Sequence, residues 1–586
     1  MGIATTRFED RIAAATQGAG HGVVKFDASQ AVCGGGVLFL LPALLSQGLL
    51  KTREVYQMPA SHYYGLESVV LTLAFMALAR IKNPEQLKQC KPGEIGRIIG
   101  LDRIPEVSCL RDKIKILSDQ KQAQKLNLLL IDEWYNPSAP QDLFLYIDGH
   151  VRIYYGDKAN LPSKFISRQK LCLSATTEYW VNDAQGMPVM MVMGELTEKL
   201  QTAIEELIIP QLQQTVLLPS LPPPATEKQT ATTEAQIITQ QEPEHPVCTL
   251  IFDREAYQPS FFQRLWDNWQ IAIITYRKNV KDKWEPECFK VTDVMVLENK
   301  VIMHLCERKV ILDGIAFREI RCLGEGGHQT SIITNNLIIC IALIAGRMFG
   351  RWVQENFFRY LIMDYDFDKM IEFGTVTIDQ NKEVVNPLYR KLTHQLKKQK
   401  EKTQRLKAQQ YALAEQSIEA NLEDLPALTQ KQMKLMEKTE QYQLEQQQIE
   451  DQRNKTTARL KLKDMPEQER YNKLKPESKM LMNIIKMICY RAETAVANLL
   501  TEFFIRGKEE KRMLVKQIIQ TSADLIPDDE NKTLTVILHT LSAPRFNAAA
   551  EKLAQILTQT QSVFPGTDLR IIFKTTAQET AKGKEF

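Results

Sequence analysis

The chain has 586 residues, of which 44% are hydrophobic, so it can build cores for roughly four domains of ordinary size. Its 74 Lys and Arg nearly balance its 71 Asp and Glu, and a net charge of only +3 means that any nucleic-acid binding must come from local basic patches. The ten cysteines are scattered without a C-x-x-C pair, which argues against a structural zinc site and favours a reducing compartment. The amino terminus lacks the apolar segment of a secretory signal, and we expect a cytoplasmic protein.

The first region, residues 1–135, is predicted to be helical. Its apolar segment 31–50 is interrupted by three glycines, a proline and Ser-Gln, so we expect a buried helix after a Gly turn and not a membrane span. Residues 84–118 resemble a helix-turn-helix arrangement, in which Arg97 and Arg111 would contact DNA. Basic residues alternate with acidic ones in this segment, so a small helical bundle with a solvated charged face is an equal alternative.

Strand patterns begin after residue 142. The stretch LFLYIDGH, residues 143–150, is typical of an interior strand, and Asp148 is expected where that strand meets solvent. Two further strands, an amphipathic helix and a Pro-rich linker at 216–246 follow. The next apolar strand, in CTLIFDREAY, also ends in an aspartate, Asp253, before a helix and another strand. The predicted order of elements is therefore β, β, β, α, linker, β, α, β.

Short alternating segments fill residues 284–333 and predict antiparallel strands, which form a β-rich insertion. One long helix or two consecutive helices come next and contain the stretch RWVQENFF, with Arg351 and Glu355. These two residues lie one turn apart on the same helix face, so Arg351 could orient Glu355 or hold a DNA phosphate. An ordinary surface ion pair is the alternative.

Helices dominate the rest of the chain. Leucines and other apolar residues at multiples of seven predict a helical hairpin or coiled coil over residues 376–470. Its basic run 390–407 includes Lys397 and Lys398 and could track a DNA backbone, although a solvated coiled-coil surface explains the run equally well. Residues 471–586 are predicted to form a small helical domain.

Two strand-end aspartates and one helical glutamate are the candidate chemical groups. The carboxylates of Asp148, Asp253 and Glu355 are hard ligands suited to Mg²⁺ or Mn²⁺, and two such ions can hold the attacking and leaving oxygens of a phosphoryl transfer. The sequence contains no Walker A, G-x-G-x-x-G, G-x-S-x-G or H-E-x-x-H motif. Each aspartate could instead simply form a turn at the end of its strand.

This order of elements and carboxylates resembles the ribonuclease-H-like core of DDE transposases from bacterial insertion sequences, over residues 136–375. It is similar in particular to the subgroup whose core carries a β-rich insertion before the last Glu. That subgroup has the signature Tyr, two residues, Arg, three residues, Glu, six residues, Lys. Arg351 and Glu355 match at the required spacing, whereas Met348 and Ile362 stand at the Tyr and Lys positions.

The resemblance implies an α/β fold with a mixed sheet and metal-dependent chemistry on DNA. The three carboxylates would be catalytic and would hold two Mg²⁺ or Mn²⁺ ions. Arg351, Arg254 and His328 would contact the DNA, although a capping or core role is the alternative for His328. An activated water would cut at the end of the element, and the freed 3′-hydroxyl would then attack target DNA.

The expected partners are double-stranded DNA, as terminal inverted repeats and target, and a second copy of the chain in the DNA complex. The protein would be cytoplasmic in a bacterial cell and nucleoid-associated when bound. Two alternatives stay open: a nuclease with the same core that only hydrolyses DNA, and a catalytically retired transposase that acts as a DNA-binding protein. The absence of the signature Tyr and Lys favours the second alternative.

Overall fold

A computed structural model describes most of the chain in two compact units. The described residues are 7–16, 21–135, 143–166, 169–194, 199–218, 245–297, 299–367, 374–419 and 425–576. The first unit comprises residues 1–153, 175–373 and 475–586, and the second comprises 154–174 and 374–474. The predicted linker, residues 216–246, lies outside the described residues from 219 to 244.

Helices and mixed sheets both contribute to the fold, which confirms the mixed α/β class. The helices are α1 Phe8–Thr16, α2 Leu41–Ser46, α3 Leu66–Leu78, α4 Pro92–Ile98, α5 Val107–Asp119, α6 Ala123–Tyr135, α7 Leu200–Ala203, α8 Ile209–Leu212, α9 Pro259–Trp269, α10 Ile341–Phe349, α11 Trp352–Tyr365, α12 Pro387–Glu419, α13 Leu425–Lys455, α14 Glu477–Leu499, α15 Lys508–Gln520 and α16 Pro544–Gln559. The strands are β1 Ser29–Val32, β2 Phe144–Ile153, β3 Ser163–Ile166, β4 Leu171–Asp183, β5 Pro188–Met193, β6 Cys248–Ile251, β7 Ile271–Tyr276, β8 Lys290–Val296, β9 Asn299–Leu312, β10 Ile315–Leu323, β11 Gln329–Thr334, β12 Thr375–Thr377, β13 Glu383–Val385, β14 Arg459–Lys461, β15 Asn472–Leu474, β16 Ala523–Asp528, β17 Thr533–Leu538 and β18 Arg570–Thr575.

A large mixed sheet organises the first unit. Its strands lie in the order β5, β4, β2, β6, β7. The β4 strand is antiparallel to both of its neighbours, β5 and β2. The β2, β6 and β7 strands run parallel to one another. Alternate residues of β2 enter two different cores: Leu145 and Ile147 pack with α9, while Phe144 and Tyr146 pack with α10. Helices therefore cover both faces, as the near-continuous apolar run of β2 requires.

The strands expected between residues 284 and 333 extend this same sheet. β11 pairs antiparallel with β7, and β10, β9 and β8 continue outward from it. A charged network is buried at their base, where Glu319 accepts from Arg277 at 2.5 Å and from Arg321 at 2.7 Å. Buried charges need such partners because an uncompensated one costs several kcal/mol, of order 3 to 5.

The two ends of the chain share one hydrophobic core, which the sequence did not predict. β1 pairs with β16, and the strand order in this smaller sheet is β1, β16, β17, β18. The Phe39 and Phe573 rings meet at 4.9 Å and the Phe26 and Phe564 rings at 4.8 Å. The expectation of a small helical domain at 471–586 is therefore wrong, because β16 pairs with β17, β17 pairs with β18, and β16 also pairs with β1 from the other end of the chain. The strand propensity of such short segments depends on what they pack against, so the sequence pattern indicates them only weakly.

Helix α14 is the centre of that shared core. It packs against α2, α3, α5, α6, α15 and β5, and nearly all of its residues are buried. Its buried Glu493 is paired with Arg80 at 2.7 Å and accepts from the Tyr360 hydroxyl at 2.8 Å. The charge on this apolar helix is thus compensated by partners from two other elements.

The N-terminal segments singled out in the sequence are ordered parts of this unit. Residues 35–40 form a buried 3₁₀ turn at the glycines that leads into α2, so a buried helix follows a Gly turn, as the sequence predicted. Among the described helices, none is both long enough and apolar enough to cross a bilayer. The segment 84–118 consists of a 3₁₀ turn at Pro84–Gln89 followed by α4 and α5.

The second unit is built around two long helices that run antiparallel. Gln399 of α12 donates to Glu445 of α13 at 2.5 Å, and Gln410 donates to Thr439 at 2.9 Å. Two-stranded pairs, β12 with β15 and β13 with β14, close the base of this hairpin. Asn160 ties the excursion 154–174 to the base, since its backbone N–H donates to the Asn472 side chain at 2.8 Å.

We predict that truncation of α14 in its buried centre destabilises the first unit. Ile484 is fully buried, so Ile484→Ala should lower the free energy of unfolding by about 2 to 5 kcal/mol through lost transfer energy and a residual cavity. Leu499→Ala is the matched control, because Leu499 on the same helix is 37% exposed and should cost much less. Equal losses in urea-induced unfolding would contradict the central role of α14.

Candidate active site

Asp148 lies within a strand and not at its end. β2 continues through Asp148 and Gly149 to Ile153, and Asp148 is paired in register with Trp180 of β4. Both the expected strand end and the alternative of an Asp-Gly hairpin turn are therefore wrong here. What changes at Asp148 is burial: residues 143–147 are buried, and Asp148 is the first partly exposed position.

Asp253 reaches the same edge of the sheet from the neighbouring parallel strand. The β2 and β6 strands are aligned with Tyr146 opposite Ile251, so Asp148 and Asp253 each follow the paired position by two residues. Asp253 caps a short 3₁₀ turn, and its Oδ1 accepts the backbone N–H of Arg254 at 2.6 Å. This arrangement is the expected apolar strand followed by a carboxylate-capped turn.

Glu355 is presented by the first turn of α11, and the residue before it fixes that helix to the sheet. Gln354 is fully buried. Its Nε2 lies 3.2 Å from the carbonyl oxygens of Tyr146 and Trp180 and 3.0 Å from the side-chain oxygen of Asn182. The Gln354 amide therefore ties Glu355 to β2 only two residues away from Asp148.

Arg351 joins two of the three carboxylates. Its Nη1 is 3.6 Å from Asp148 Oδ2, and its Nη2 donates to Glu355 Oε1 at 3.1 Å. The Arg351 side chain is only 14% exposed, whereas that of Glu355 is 52% exposed. The pair is thus not an isolated surface contact, because one guanidinium bridges a strand and a helix.

The electrostatics of the site connect all three carboxylates. Burial raises the pKa of Asp148 to about 6, Arg351 and the Gly149 N–H lower it, and the negative charges of Asp253 and Glu255 raise it further. Burial also raises the pKa of Tyr276, the last residue of β7. The cations Arg351 and Arg254 lower this pKa, and the anions Asp253 and Glu355 raise it. The charges of Asp253, Glu355 and Arg351 therefore all act on the hydroxyl of Tyr276.

The donor set suits a hard divalent cation, although its present spacing does not. Carboxylate oxygens are the ligands that Mg²⁺ and Mn²⁺ prefer. The raised pKa of Asp148 comes mainly from burial, with smaller contributions from the negative charges of Asp253 and Glu255. Within the described ranges, no group of three or more His, Cys, Asp or Glu residues is close enough to hold a metal ion. The carboxylate oxygens thus suit a divalent metal ion, but Asp148 and Glu355 are at present separated by the guanidinium of Arg351, which contacts both of them.

The other residues of the first unit that were expected at the DNA interface are all exposed but differ in their contacts. Arg254 is exposed beside Asp253, with its guanidinium 5.6 Å from the Tyr276 ring. His328 is exposed in the turn before β11, beyond the carboxyl end of β7, and no contact brings it to the carboxylates. Arg97 is exposed on α4, and Arg111 forms an exposed ion pair with Glu85 at 2.5 Å.

The two lysines of the basic run belong to the second unit. Lys397 and Lys398 are both exposed on α12, while Leu396 and Gln399 on either side of them are buried. Such alternation is what an amphipathic helix shows when one face packs and the other meets solvent. The placement is compatible with both interpretations of the run, a DNA-tracking surface and a solvated helix face.

Gln354 and Tyr276 are the residues that the sequence reasoning missed. Gln354 stands on the same helical face as Phe357, Phe358 and Leu361, at spacings of three, four and seven. A lone amide on an apolar stripe is a recognisable signal, because a buried amide must satisfy its hydrogen bonds. Tyr276 gave no comparable signal, since an aromatic residue at the end of a buried strand is ordinary.

Comparison with known proteins gives one match. The model of a protein family described as transposase protein matches residues 2–577, nearly the whole chain. The chain therefore belongs to this transposase family. No curated protein and no solved structure matches significantly.

We predict that the amide of Gln354 is required for the stability of the α11 attachment. Gln354→Leu keeps a similar volume but leaves two backbone carbonyls and Asn182 without their donor, which should cost about 1 to 3 kcal/mol. The adjacent Glu355→Gln is the control and should be nearly neutral, because its side chain is half exposed. If Gln354→Leu unfolds at the same urea concentration as the native chain, the hydrogen bonds do not hold the helix.

A second prediction concerns the pH dependence of stability. The folded chain keeps a proton on Asp148 up to a pKa of about 6, whereas the unfolded chain loses it near 3.8, so unfolding free energy should fall as pH rises between those values. Asp148→Asn has no carboxyl proton to lose, so its unfolding free energy lacks this pH dependence. Between pH 3.8 and about 6, the stability of the variant relative to the native chain should therefore rise by at most about 1.4 kcal/mol per pH unit. Thermal unfolding of both proteins from pH 4.5 to 7.5 measures the difference, and a pH-independent offset would contradict it.

Proposed function

We propose that this transposase cuts DNA at the ends of a mobile element and joins it to target DNA by the DDE mechanism. The observation that carries the proposal is the position of Arg351, whose guanidinium contacts both Asp148 and Glu355 at the sheet edge that Asp253 also reaches. Family membership supplies the class of activity. The carboxylates supply a chemistry that fits that class.

The topology of the first unit supports a ribonuclease-H-like core within residues 136–375. The core begins with three antiparallel strands, β2, β4 and β5, followed by a helical segment. The parallel strand β6, the helix α9 and a second parallel strand, β7, come next. Asp148 lies on the first strand, Asp253 follows the fourth, and Glu355 is on a helix after the β-rich insertion. This is the arrangement of elements and acids that the resemblance implies.

Asp148, Asp253 and Glu355 would together hold two Mg²⁺ or Mn²⁺ ions. When bound, these ions would polarise the attacking and leaving oxygens of an in-line displacement at phosphorus. A water oxygen would form the new bond to phosphorus at the element end while the bond to the 3′-oxygen breaks and leaves a 3′-hydroxyl. That hydroxyl would then attack a target phosphodiester in the same way.

Cationic side chains around the carboxylates would hold the DNA. Arg254 and Arg351 lie beside the acids and would meet a phosphate, and His328 lies beyond the same edge of the sheet. Other basic sites would contact the duplex backbone, since affinity comes mainly from phosphate contacts. These sites are Arg97, Arg111, Lys397 and Lys398.

The proposed partners are the terminal inverted repeats, the target duplex and a second copy of the chain in the DNA complex. We place this activity in the cytoplasm of a bacterial cell, on the nucleoid. The sequence of the repeats is open, so the substrate for testing is a plasmid that carries the coding sequence with its own flanking DNA.

A retired transposase that only binds DNA is the second candidate. It is favoured by Met348 and Ile362 at the signature Tyr and Lys positions. Met348 is fully buried and packs in the core between α10 and the sheet, so its side chain serves packing there. A hydrolytic nuclease would differ from both candidates by cutting without joining.

Asp253→Asn tests the three-acid mechanism. The change keeps size but removes a charge that a divalent ion requires, so Mg²⁺-dependent cleavage of the plasmid should fall by orders of magnitude. DNA binding should survive, because this residue donates nothing to phosphates. Cleavage is followed on gels and joining by recovery of inserted products.

Asp267→Asn is the matched control for that experiment. Asp267 is an exposed aspartate at the carboxyl end of α9, next to the start of β7 and hence at the opposite edge of the sheet. This variant should cut like the native chain. A native chain that binds the plasmid but never cuts it would favour the retired transposase, and cutting without joining would favour the nuclease.

A further inference from the structure

We propose that Arg351 is a built-in counter-ion that keeps divalent metal out of the site until a DNA phosphate draws its guanidinium away. The inference rests on the proposed function and adds a regulation to it: metal loading and DNA binding are coupled through one side chain. Its basis is the position of the guanidinium, 3.6 Å from Asp148 Oδ2 and 3.1 Å from Glu355 Oε1. These are two of the three carboxylates that would bind metal.

A guanidinium and a divalent ion cannot share these oxygens without cost. The two cations repel each other, and the Asp148 oxygen that faces Arg351 is one that a metal ion would need. Arg351 therefore occupies the position of the metal charge.

The exchange needs only side-chain motion. Gln354 holds α11 on the sheet, and Asp148 sits on a paired strand, so neither backbone has to move. The Glu355 side chain is half exposed and can rotate toward Asp148 and Asp253 once Arg351 leaves. Arg351 stands at the start of α11, where a DNA phosphate can replace both its hydrogen bond to Glu355 and its ion pair with Asp148.

Coupling of this kind is reciprocal. If a phosphate that captures Arg351 strengthens metal binding, metal must strengthen phosphate binding by the same factor. The physical benefit is that the free protein does not assemble its hydrolytic centre away from DNA. A purely positioning role for Arg351 makes the opposite prediction, because loosening Glu355 would weaken metal binding.

The first experiment measures Mn²⁺ binding to the DNA-free full-length chain by electron paramagnetic resonance. Arg351→Gln should bind Mn²⁺ roughly tenfold more tightly than the native chain, within the usual range of coupling energies. Arg351→Lys should lie between the two, because one ammonium cannot bridge both acids. Arg359→Gln is the control, since Arg359 is exposed on the same helix and loses the same charge.

The second experiment measures the reciprocal effect on DNA. Fluorescence anisotropy with a duplex from the flanking DNA, in Ca²⁺ or in EDTA, should give a larger Ca²⁺-dependent gain in affinity for the native chain than for Arg351→Gln. Thermal unfolding of each variant verifies that it is folded, and the lysine variant keeps the comparison decisive if the glutamine variant is unstable.

The outcomes separate this inference from the proposed function. Equal or weaker Mn²⁺ binding by Arg351→Gln, in a native chain that binds Mn²⁺ and cleaves DNA, would overturn the counter-ion role alone. A native chain that binds no Mn²⁺ and cleaves nothing would overturn both. Tighter Mn²⁺ binding by Arg359→Gln to the same extent would reduce the effect to general charge and would also overturn it.

Discussion

The attachment of α11 to the central sheet is the constraint on which the site depends. One face of this helix carries Gln354, whose amide is bonded to two strands, and below it Phe357 and Phe358 enter the core shared by the chain ends. Glu355, the next residue, lies about 100° round the helix on a more exposed side. The buried hydrogen bonds of Gln354 fix the backbone of α11, and with it the backbone position of Glu355, relative to β2. A site with several ligands needs such a fixed support.

The parts of the fold with local signals could be predicted from the sequence. The apolar runs ending at Asp148 and Asp253, the alternating strands after residue 284 and the two charged helices of the second unit all follow from periodicity within single elements. The chain order of the candidate acids came from the same signals. The parallel pairing of β2 with β6 brings Asp148 and Asp253 to the same edge of the sheet.

The rest depended on interactions between distant parts of the chain. Nothing in the segment around β1 indicates that it pairs with β16, and the apolar pattern of α14 says that it is buried but not which elements cover it. The role of Arg351 was similarly hidden. Spacing predicted its contact with Glu355, one turn away, but the contact with Asp148 exists only because α11 lies across β2.

The pairing of β1 with β16 also has a meaning for the growing chain. At a synthesis rate of about 5 to 20 residues per second, some 25 to 100 seconds separate the appearance of Val32 from that of its partner Ala523. During that interval the apolar N-terminal segments are synthesised but are not yet covered by α14 and strands β16 to β18. A prematurely terminated chain would therefore lose the core at both of its ends, and an incomplete product could not assemble the support beneath α11.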